Sequence, residues 1–382
     1  MLPKLKTETI YDVAIIGGGL AGLTLSIQLV QKNLKVILFE KETYPFHKVC
    51  GEYISMESWD FLTRCGLDLE AFNLPQIKKL NVTAPNGNVL SHNLDLGGFG
   101  ISRYKLDAAL AAIATKNGVE LLQNSKVDDV VFVNDEFAII ANQQIYKSKL
   151  AAGSFGKRSN IDIKLDRKFI QKPQQNAFNY VGVKYHIKLH FPSDLIELHN
   201  FEDGYCGISK VEGDTYCLCY LTSANNLRKY GNIKNMEEKA LMKNPFLKKY
   251  FNEAEFLYSE PLVISQVNFS AKKAIENHIL MVGDAAGLIT PLCGNGMSMA
   301  MHGSFLLSRQ IEGYFSGKYS RLELEKNYVK AWKQQFSLRL FIGRLIQYSF
   351  GRPEITNPMI AILKYFPSFV KRLIKLTHGK PF

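Results

Sequence analysis

Residues 11–40, YDVAIIGGGLAGLTLSIQLVQKNLKVILFE, decide the fold. The β-branched apolar run 13–16 predicts a buried strand, and Gly17, Gly19 and Gly22 follow it as G-x-G-x-x-G. An apolar-periodic helix is expected from about Leu20 to Gln31, and a second strand over 35–39 ends on Glu40. Strand, glycines, helix, strand and acid in that register predict a βαβ unit that holds a dinucleotide. Gly17 allows the tight turn, Gly19 lets a pyrophosphate approach the backbone, and Gly22 lets the helix pack close to the sheet. The helix N-terminus offers unpaired N–H groups and positive dipole to phosphates. Glu40 is placed to accept hydrogen bonds from a ribose hydroxyl.

The chain has 382 residues, enough for two or three domains of ordinary size. The opening MLPKLKTETI lacks an apolar segment, so no signal peptide is expected. No uncharged apolar run reaches the length that spans a bilayer. Six cysteines (Cys50, Cys65, Cys206, Cys217, Cys219, Cys293) form no C-x-x-C pair and no zinc-type cluster, so no metal is expected and a reducing cytoplasm is the simplest setting. Cys217 and Cys219 read as packing residues on one face of a strand. Of the net +12, residues 321–382 carry +9, from twelve Lys or Arg against three acids. A nearly neutral body with one basic region argues against a nucleic-acid surface.

Along the chain, 55–65 reads as a helix stopped by Gly66, 80–94 as a hairpin turning at Asn86-Gly87, and 103–117 as a helix. Short strands are expected over 119–122, 127–133 and 137–141, with a glycine-containing turn over 149–159. Residues 177–189, 195–200, 205–211 and 215–222 alternate or run apolar and predict a mostly antiparallel sheet, interrupted by helices over 235–254. A buried strand at 278–282 runs into Gly283-Asp284-Ala285-Ala286-Gly287, then Pro291, Gly294-Asn295-Gly296-Met297 and a helix to about Ile311. Asp284 is expected at a helix N-terminus facing a cleft. The tail from Leu322 reads as helical, with breaks at 351–353, Pro358 and Pro367.

On these motifs the chain resembles the flavoproteins of the para-hydroxybenzoate hydroxylase fold, and within them the geranylgeranyl reductase-like branch. The resemblance covers roughly residues 8–315. It rests on the glycine turn with Glu40, on the 283–297 segment, and on Arg103 with Leu106 and Asp107, similar to R-x-x-L-D before a helix. It implies an α/β (α+β) architecture. An FAD-binding domain is expected from 8–75, 100–163 and 265–320, and a substrate-binding β-sheet domain from 76–99 and 164–264. A basic helical region, 321–382, completes the chain. It implies FAD as cofactor, held by Gly17, Gly19, Leu20, Ala21, Gly22, Glu40, Lys41, Arg103, Val127, Gly283, Asp284, Pro291, Gly294, Gly296 and Met297.

The branch rests on His47-Lys48-Val49-Cys50-Gly51-Glu52, similar to the reductases' Cys-Gly-Glu or Cys-Gly-Gly beside the flavin and the prenyl chain. Cys50 is the candidate catalytic residue, as proton donor or as a soft wall; His47 is a candidate for the cavity mouth or a solvated loop residue. The halogenases' W-x-W-x-I-P is absent, as is the reductases' Tyr-x-Trp-x-Phe-Pro, for which 205–210 stands nearest. Phe155 stands where aromatic hydroxylases of this fold carry the Asp of G-A-D-G-x-x-S. A phenyl ring accepts no hydrogen bond, which argues against NAD(P)H as direct donor and for a partner reductase.

The function expected is FAD-dependent oxidoreduction of an apolar lipid-like, prenyl or polyketide-like molecule, by C=C reduction or related chemistry. A monooxygenase is the alternative, and a non-catalytic flavin- and lipid-binding protein the alternative from another class. A dehydrogenase holding NAD alone does not account for the Gly283-Asp284 unit. In the tail, Phe366, Phe369, Val370, Leu373 and Ile374 fall at helical spacing, as do Leu338, Phe341, Ile342, Leu345 and Ile346. Lys371, Arg372 and Lys375 flank the first set. Together they predict either peripheral contact with an anionic membrane or packing on the protein itself.

Overall fold

The computed structural model describes residues 4–171, 179–288 and 294–382. Two sheets organise it. In the first, the strand Lys4–Ile16 lies centrally, paired in parallel with Val36–Phe39 on one side and Gln144–Gly153 on the other. Glu120–Leu122 and Ile279–Met281 extend it in parallel, and the hairpin Val127–Val133/Glu136–Ala141 joins it at Gln144–Gly153. Parallel strands covered on both faces read as continuous apolar runs, which is why Val36–Phe39 is buried at every position. The helix Leu20–Val30 covers one face, with Leu23, Leu25, Ile27 and Leu29 fully buried.

The second sheet runs Glu255–Phe256, Tyr180–Lys188, Tyr216–Ser223, Gly204–Lys210, Leu195–Phe201, Gln76–Thr83, Val89–Gly100, Tyr53–Ser55. It is antiparallel except where Leu195–Phe201 meets Gln76–Thr83 in parallel. Three short helices, Ala224–Tyr230, Ile233–Lys239 and Pro245–Glu253, pack on one face with Tyr185, Leu218, Tyr220, Met236 and Leu247 between. The opposite face lies toward the first sheet. Tyr53–Ser55, expected with the 8–75 segment, pairs with Val89–Gly100 in this second sheet.

Several boundaries differ from expectation for physical reasons. The helices packed on the second sheet begin at Ala224, eleven residues before the expected 235, where the Ser223 side chain caps the N–H of Asn225. Residues 149–153 complete a ten-residue strand, and the turn begins only at Ser154. Asp284 sits in a short 3-10 turn, Gly283–Ala285, and the helix proper begins at Gly296. Pro358 does not break the tail: Pro353–Leu363 continues through it, forgoing one backbone bond. Pro291 and Cys293 lie outside the described residues.

The tail is three helices, Arg321–Ser349, Pro353–Leu363 and Pro367–Thr377. Tyr328, Trp332 and Phe336 bury against the core beneath the first sheet, and Tyr328 donates to the Met281 carbonyl at 2.6 Å. The apolar stripes expected to act as units are split. Val370 and Ile374 pack on Val82, Leu90 and their neighbours, while Phe366 and Phe369 face solvent. Ile342 and Ile346 are half-buried, whereas Leu338, Phe341 and Leu345 are exposed. Lys371 pairs with Asp95 at 3.0 Å, so part of the basic excess is met within the protein.

This split predicts unequal costs along one helix. Phe336→Ala should lose about 3–5 kcal/mol through cavity formation. Phe341→Ala, at a residue 60% exposed, should stay within about 0.5 kcal/mol. Urea unfolding midpoints compare them directly.

Candidate active site

A cavity of about 1030 Å³ runs between the two sheets. That is at the upper end of the range for single-ligand pockets. One end is the glycine turn. Gly17 has φ +105°, and a Cβ there would meet the Ser154 carbonyl at 2.6 Å. A Cβ on Gly22 would come within 2.1 Å of the Gly17 carbonyl, so only glycine lets helix and turn approach. Gly19 is different: a Cβ would meet only Arg103 Nη2, at 4.0 Å, so its face is open to the cavity. That is the approach a pyrophosphate needs. Glu40 Oε2 accepts the Gly18 N–H at 2.8 Å and Oε1 the Glu42 N–H at 3.1 Å, which aims the carboxylate across the turn. Leu20, Ala21, Lys41 and Val127 line the same end, whereas Gly22 acts by packing behind it.

The middle of the cavity is charged. Ser102 caps the helix Arg103–Lys116, accepting from Lys105 N–H at 3.2 Å. In its first turn Arg103 grips Asp107 through Nε and Nη2, both at 2.7 Å, and Lys48 reaches the same carboxylate at 2.9 Å. Burial pushes the Asp107 carboxyl up, but the Arg103 and Lys48 charges outweigh it and hold it below the usual carboxylate range. Across the cavity, burial pushes the Asp284 carboxyl up against the pull of Lys272, Arg103 and Lys157. Lys272, donating to the Asp284 and Lys157 carbonyls, is pushed down by burial to about 8. Gly283, Gly294, Gly296 and Met297 line this stretch, and both Gly283 (φ +64°) and Gly294 (φ +62°) adopt the left-handed backbone. An open glycine turn, an acid at the end of the second strand and a second glycine–acid turn along one continuous cavity fit a two-ended dinucleotide such as FAD.

The far end is apolar, walled by Leu80, Leu94, Ile196, Leu198, Ile208 and Leu221 of the second sheet. Cys50, Gly51 and Glu52 stand at the junction of this end with the charged middle. Burial pushes the Cys50 thiol up, so it keeps its proton, and its carbonyl accepts from the buried Cys217 thiol at 3.2 Å. Phe155 also lines the cavity, where a carboxylate was the alternative.

The junction contains a knot the sequence did not disclose. Glu52, fully buried, accepts from Lys184 Nζ at 2.5 Å, from His186 Nε2 at 2.6 Å and from the backbone N–H of Arg103 at 2.8 Å. Burial raises its carboxyl, yet the His186 bond and the Lys184 charge prevail and hold it below its ordinary value. Lys184 and His186 come from Tyr180–Lys188, whose alternation reads them as a polar face. That face is covered by the loop 47–52, so both are buried. The sole sequence signal was that Lys184 and His186 fall among apolar residues of a strand that ends on Lys188. Glu52, His186 and Cys217 place ligand atoms within 4.8 Å of one another, but Lys184 already supplies the positive charge a metal would bring.

Two measurements follow. Glu52→Gln should cost about 3–5 kcal/mol, because Lys184 is left buried without its counter-charge. Glu52 and Asp107 both titrate low, so their stabilisation is full at neutral pH and is lost as the pH falls below about 4. Denaturant midpoints of wild type and Glu52→Gln should therefore stay apart at pH 7 and converge only as the pH is taken well below about 4. For the cofactor, Gly19→Val should abolish flavin retention, and Asp284→Ala should weaken it by about 1–3 kcal/mol. Both are read from the flavin absorbance of the purified protein.

Comparison with known proteins bears on these assignments. A family described as "FAD binding domain" matches residues 12–47. The chain is 25% identical over 371 residues to conditioned medium factor receptor 1 of Dictyostelium discoideum, covering 86% of this chain and 68% of that one. It is 24% identical over 353 residues to the digeranylgeranylglycerophospholipid reductase of Methanococcus vannielii, covering 86% and 83%. Among solved structures, the flavin-dependent brominase Bmp2 superposes with TM-score 0.75 at 19% identity, covering 96% and 93%. A geranylgeranyl bacteriochlorophyll reductase-like protein of Thermoplasma acidophilum gives 0.73 at 19%, covering 97% and 92%. The chain thus matches an FAD-binding domain over residues 12–47 and has the fold that reductase-like and halogenase flavoproteins share.

Proposed function

We propose that this protein uses FAD to reduce C=C bonds of a long, apolar, prenyl-type lipid. The observation that carries the proposal is the gradient along one cavity. A glycine-and-acid end suited to a dinucleotide passes through a charged middle into an apolar end on the second sheet. Similarity to a digeranylgeranylglycerophospholipid reductase supports the same substrate class.

Bound FAD supplies the hydride chemistry that no side chain provides. The chain's own residues do the rest. Gly17 and Gly19 offer backbone to the pyrophosphate and Glu40 offers an acceptor to the ribose. Arg103, fixed by Asp107, holds positive charge beside the turn without swinging into the apolar lobe. Asp284 offers a carboxyl to the polar chain of the cofactor. Leu94, Ile196, Leu198 and Leu221 exclude water from the lipid, and Cys50 forms a soft, neutral wall at the junction. Phe155, lacking any acceptor, supports reduction through a partner reductase in place of direct NAD(P)H binding.

An apolar lipid also has to leave its bilayer. We infer peripheral membrane contact through the outward residues Leu338, Phe341, Leu345, Phe366 and Phe369, with Arg344 and Arg372 nearby in sequence. Among the described residues no helix is long and apolar enough to cross a membrane.

Anaerobically, dithionite-reduced holoenzyme should be reoxidised by a geranylgeranyl glycerol ether, with the saturated product detected by mass spectrometry. Millimolar NADPH should bleach the flavin far more slowly than dithionite. Reoxidation only by oxygen, with hydroxylated lipid as product, would favour the monooxygenase instead. Separately, cosedimentation with anionic vesicles at low salt should fall sharply in Phe366→Asp/Phe369→Asp while flavin content stays unchanged. High salt should weaken binding of the wild type.

A further inference from the structure

Saturating a double bond takes a hydride at one carbon, supplied by reduced FAD, and a proton at the other. The established motifs say nothing about the proton. Several titratable groups on the cavity wall are committed elsewhere or are weak acids. Arg103 and Lys48 are on Asp107. Glu52 is ionised and holds three donors. The thiol of Cys50 is pushed up, which makes it a weak acid. His378, the other histidine on the wall, has Nδ1 at 2.9 Å from the Ile374 carbonyl.

His47 differs. It lines the cavity three residues before Cys50, and its ring is held from three directions. It stacks on Tyr104 with centroids 4.6 Å apart, and meets His186 at 5.4 Å and Tyr258 at 5.3 Å edge-on. Behind it runs a hydrogen-bonded line. Glu52 Oε2 lies 2.6 Å from His186 Nε2, and His186 Nδ1 lies 2.7 Å from the Tyr258 hydroxyl, which stands 3.3 Å from the His47 ring nitrogens. The carboxylate fixes the proton on His186 Nε2, so Nδ1 accepts from the Tyr258 O–H. The phenol oxygen stands equally far from both His47 nitrogens, against the ring edge between them, so it holds the ring in place without fixing which nitrogen carries the proton. Either nitrogen is thereby able to take up a proton and release it.

We propose that His47 is the acid that delivers the proton to the lipid double bond, and that Tyr258, His186 and Glu52 position it. The proposal rests on the reductase reading above. On delivery the N–H bond of protonated His47 breaks, its electron pair stays on the ring, and the proton joins the carbon that did not receive the hydride. His47 is itself half-buried, so the nitrogen that gave up its proton is reprotonated directly from water. Around His47 stand Tyr104 from the helix Arg103–Lys116, Lys184 and His186 from the second sheet, and Tyr258 from the segment after it. Glu52 and Glu212 oppose the Lys184 charge. Burial, then Lys184, push His47 below its ordinary value, which makes its protonated form a stronger acid.

The test uses dithionite-reduced holoenzyme, mixed anaerobically with a geranylgeranyl glycerol ether across a pH series. Wild-type reoxidation should slow as the pH rises through the His47 titration, and that titration is measured independently by NMR on histidine-labelled holoenzyme. His47→Gln should reoxidise about 100-fold more slowly, with the pH limb gone. Tyr258→Phe should shift both the NMR titration of His47 and the kinetic limb by the same amount, leaving the KM for lipid unchanged. Reoxidation of His47→Gln within about threefold of wild type with the same limb would overturn the assignment while leaving the reductase reading intact. An unmoved His47 titration in Tyr258→Phe would overturn the positioning line. If the wild type is not reoxidised by the lipid at all, the reductase reading fails and takes this proposal with it.

Discussion

One buried carboxylate holds the two halves of this protein in register. Glu52 sits on the loop 47–52 that leaves the nucleotide-binding sheet, yet its partners are Lys184 and His186 of the other sheet and the first N–H of the helix that carries Arg103. A charge removed from water is tolerated only when its lone pairs are met, and here three donors meet them. The consequence is geometric. The floor of the apolar lobe, the helix beside the phosphate turn and the Cys50 loop cannot move independently. Asp107 repeats the device one turn along that helix, joining Arg103 to Lys48 of the same loop. The cavity keeps its shape because these two acids sit at its waist.

That waist separates two chemistries. On one side backbone N–H groups, open glycines and acids suit a charged dinucleotide. On the other, aliphatic side chains of a twisted sheet suit hydrocarbon. A flavoprotein acting on a lipid needs both within one continuous space, and it needs the boundary dry enough for charge to act strongly. The neutral thiol of Cys50 and the ring of Phe155 both line that space, and neither brings a charge to it.

Much of this was legible from the sequence. In the first βαβ unit the helix and the second strand were readable to within a residue, whereas the first strand starts at Lys4, nine residues before the apolar run that announced it. The hairpin over Asn86-Gly87 followed from its turn signal, and the helix from Arg103 from the apolar residues on one face. What stayed hidden depends on contact between segments far apart in sequence. Lys184 and His186 sit on alternate positions of a strand, and alternation cannot say that the polar face is covered by another domain. Tyr258 lies in an irregular stretch with no periodic signal. The tail showed the opposite limit. Its helical spacing was right, but spacing alone does not divide Val370 and Ile374, which pack inward, from Phe366 and Phe369, which do not.

The most direct test of a single cavity shared by cofactor and lipid is native mass spectrometry of the protein as purified, with release and identification of what it carries. One FAD together with one long-chain isoprenoid or similarly apolar lipid per chain is the predicted result. Protein that carries no flavin, or flavin accompanied only by small polar molecules, would contradict it.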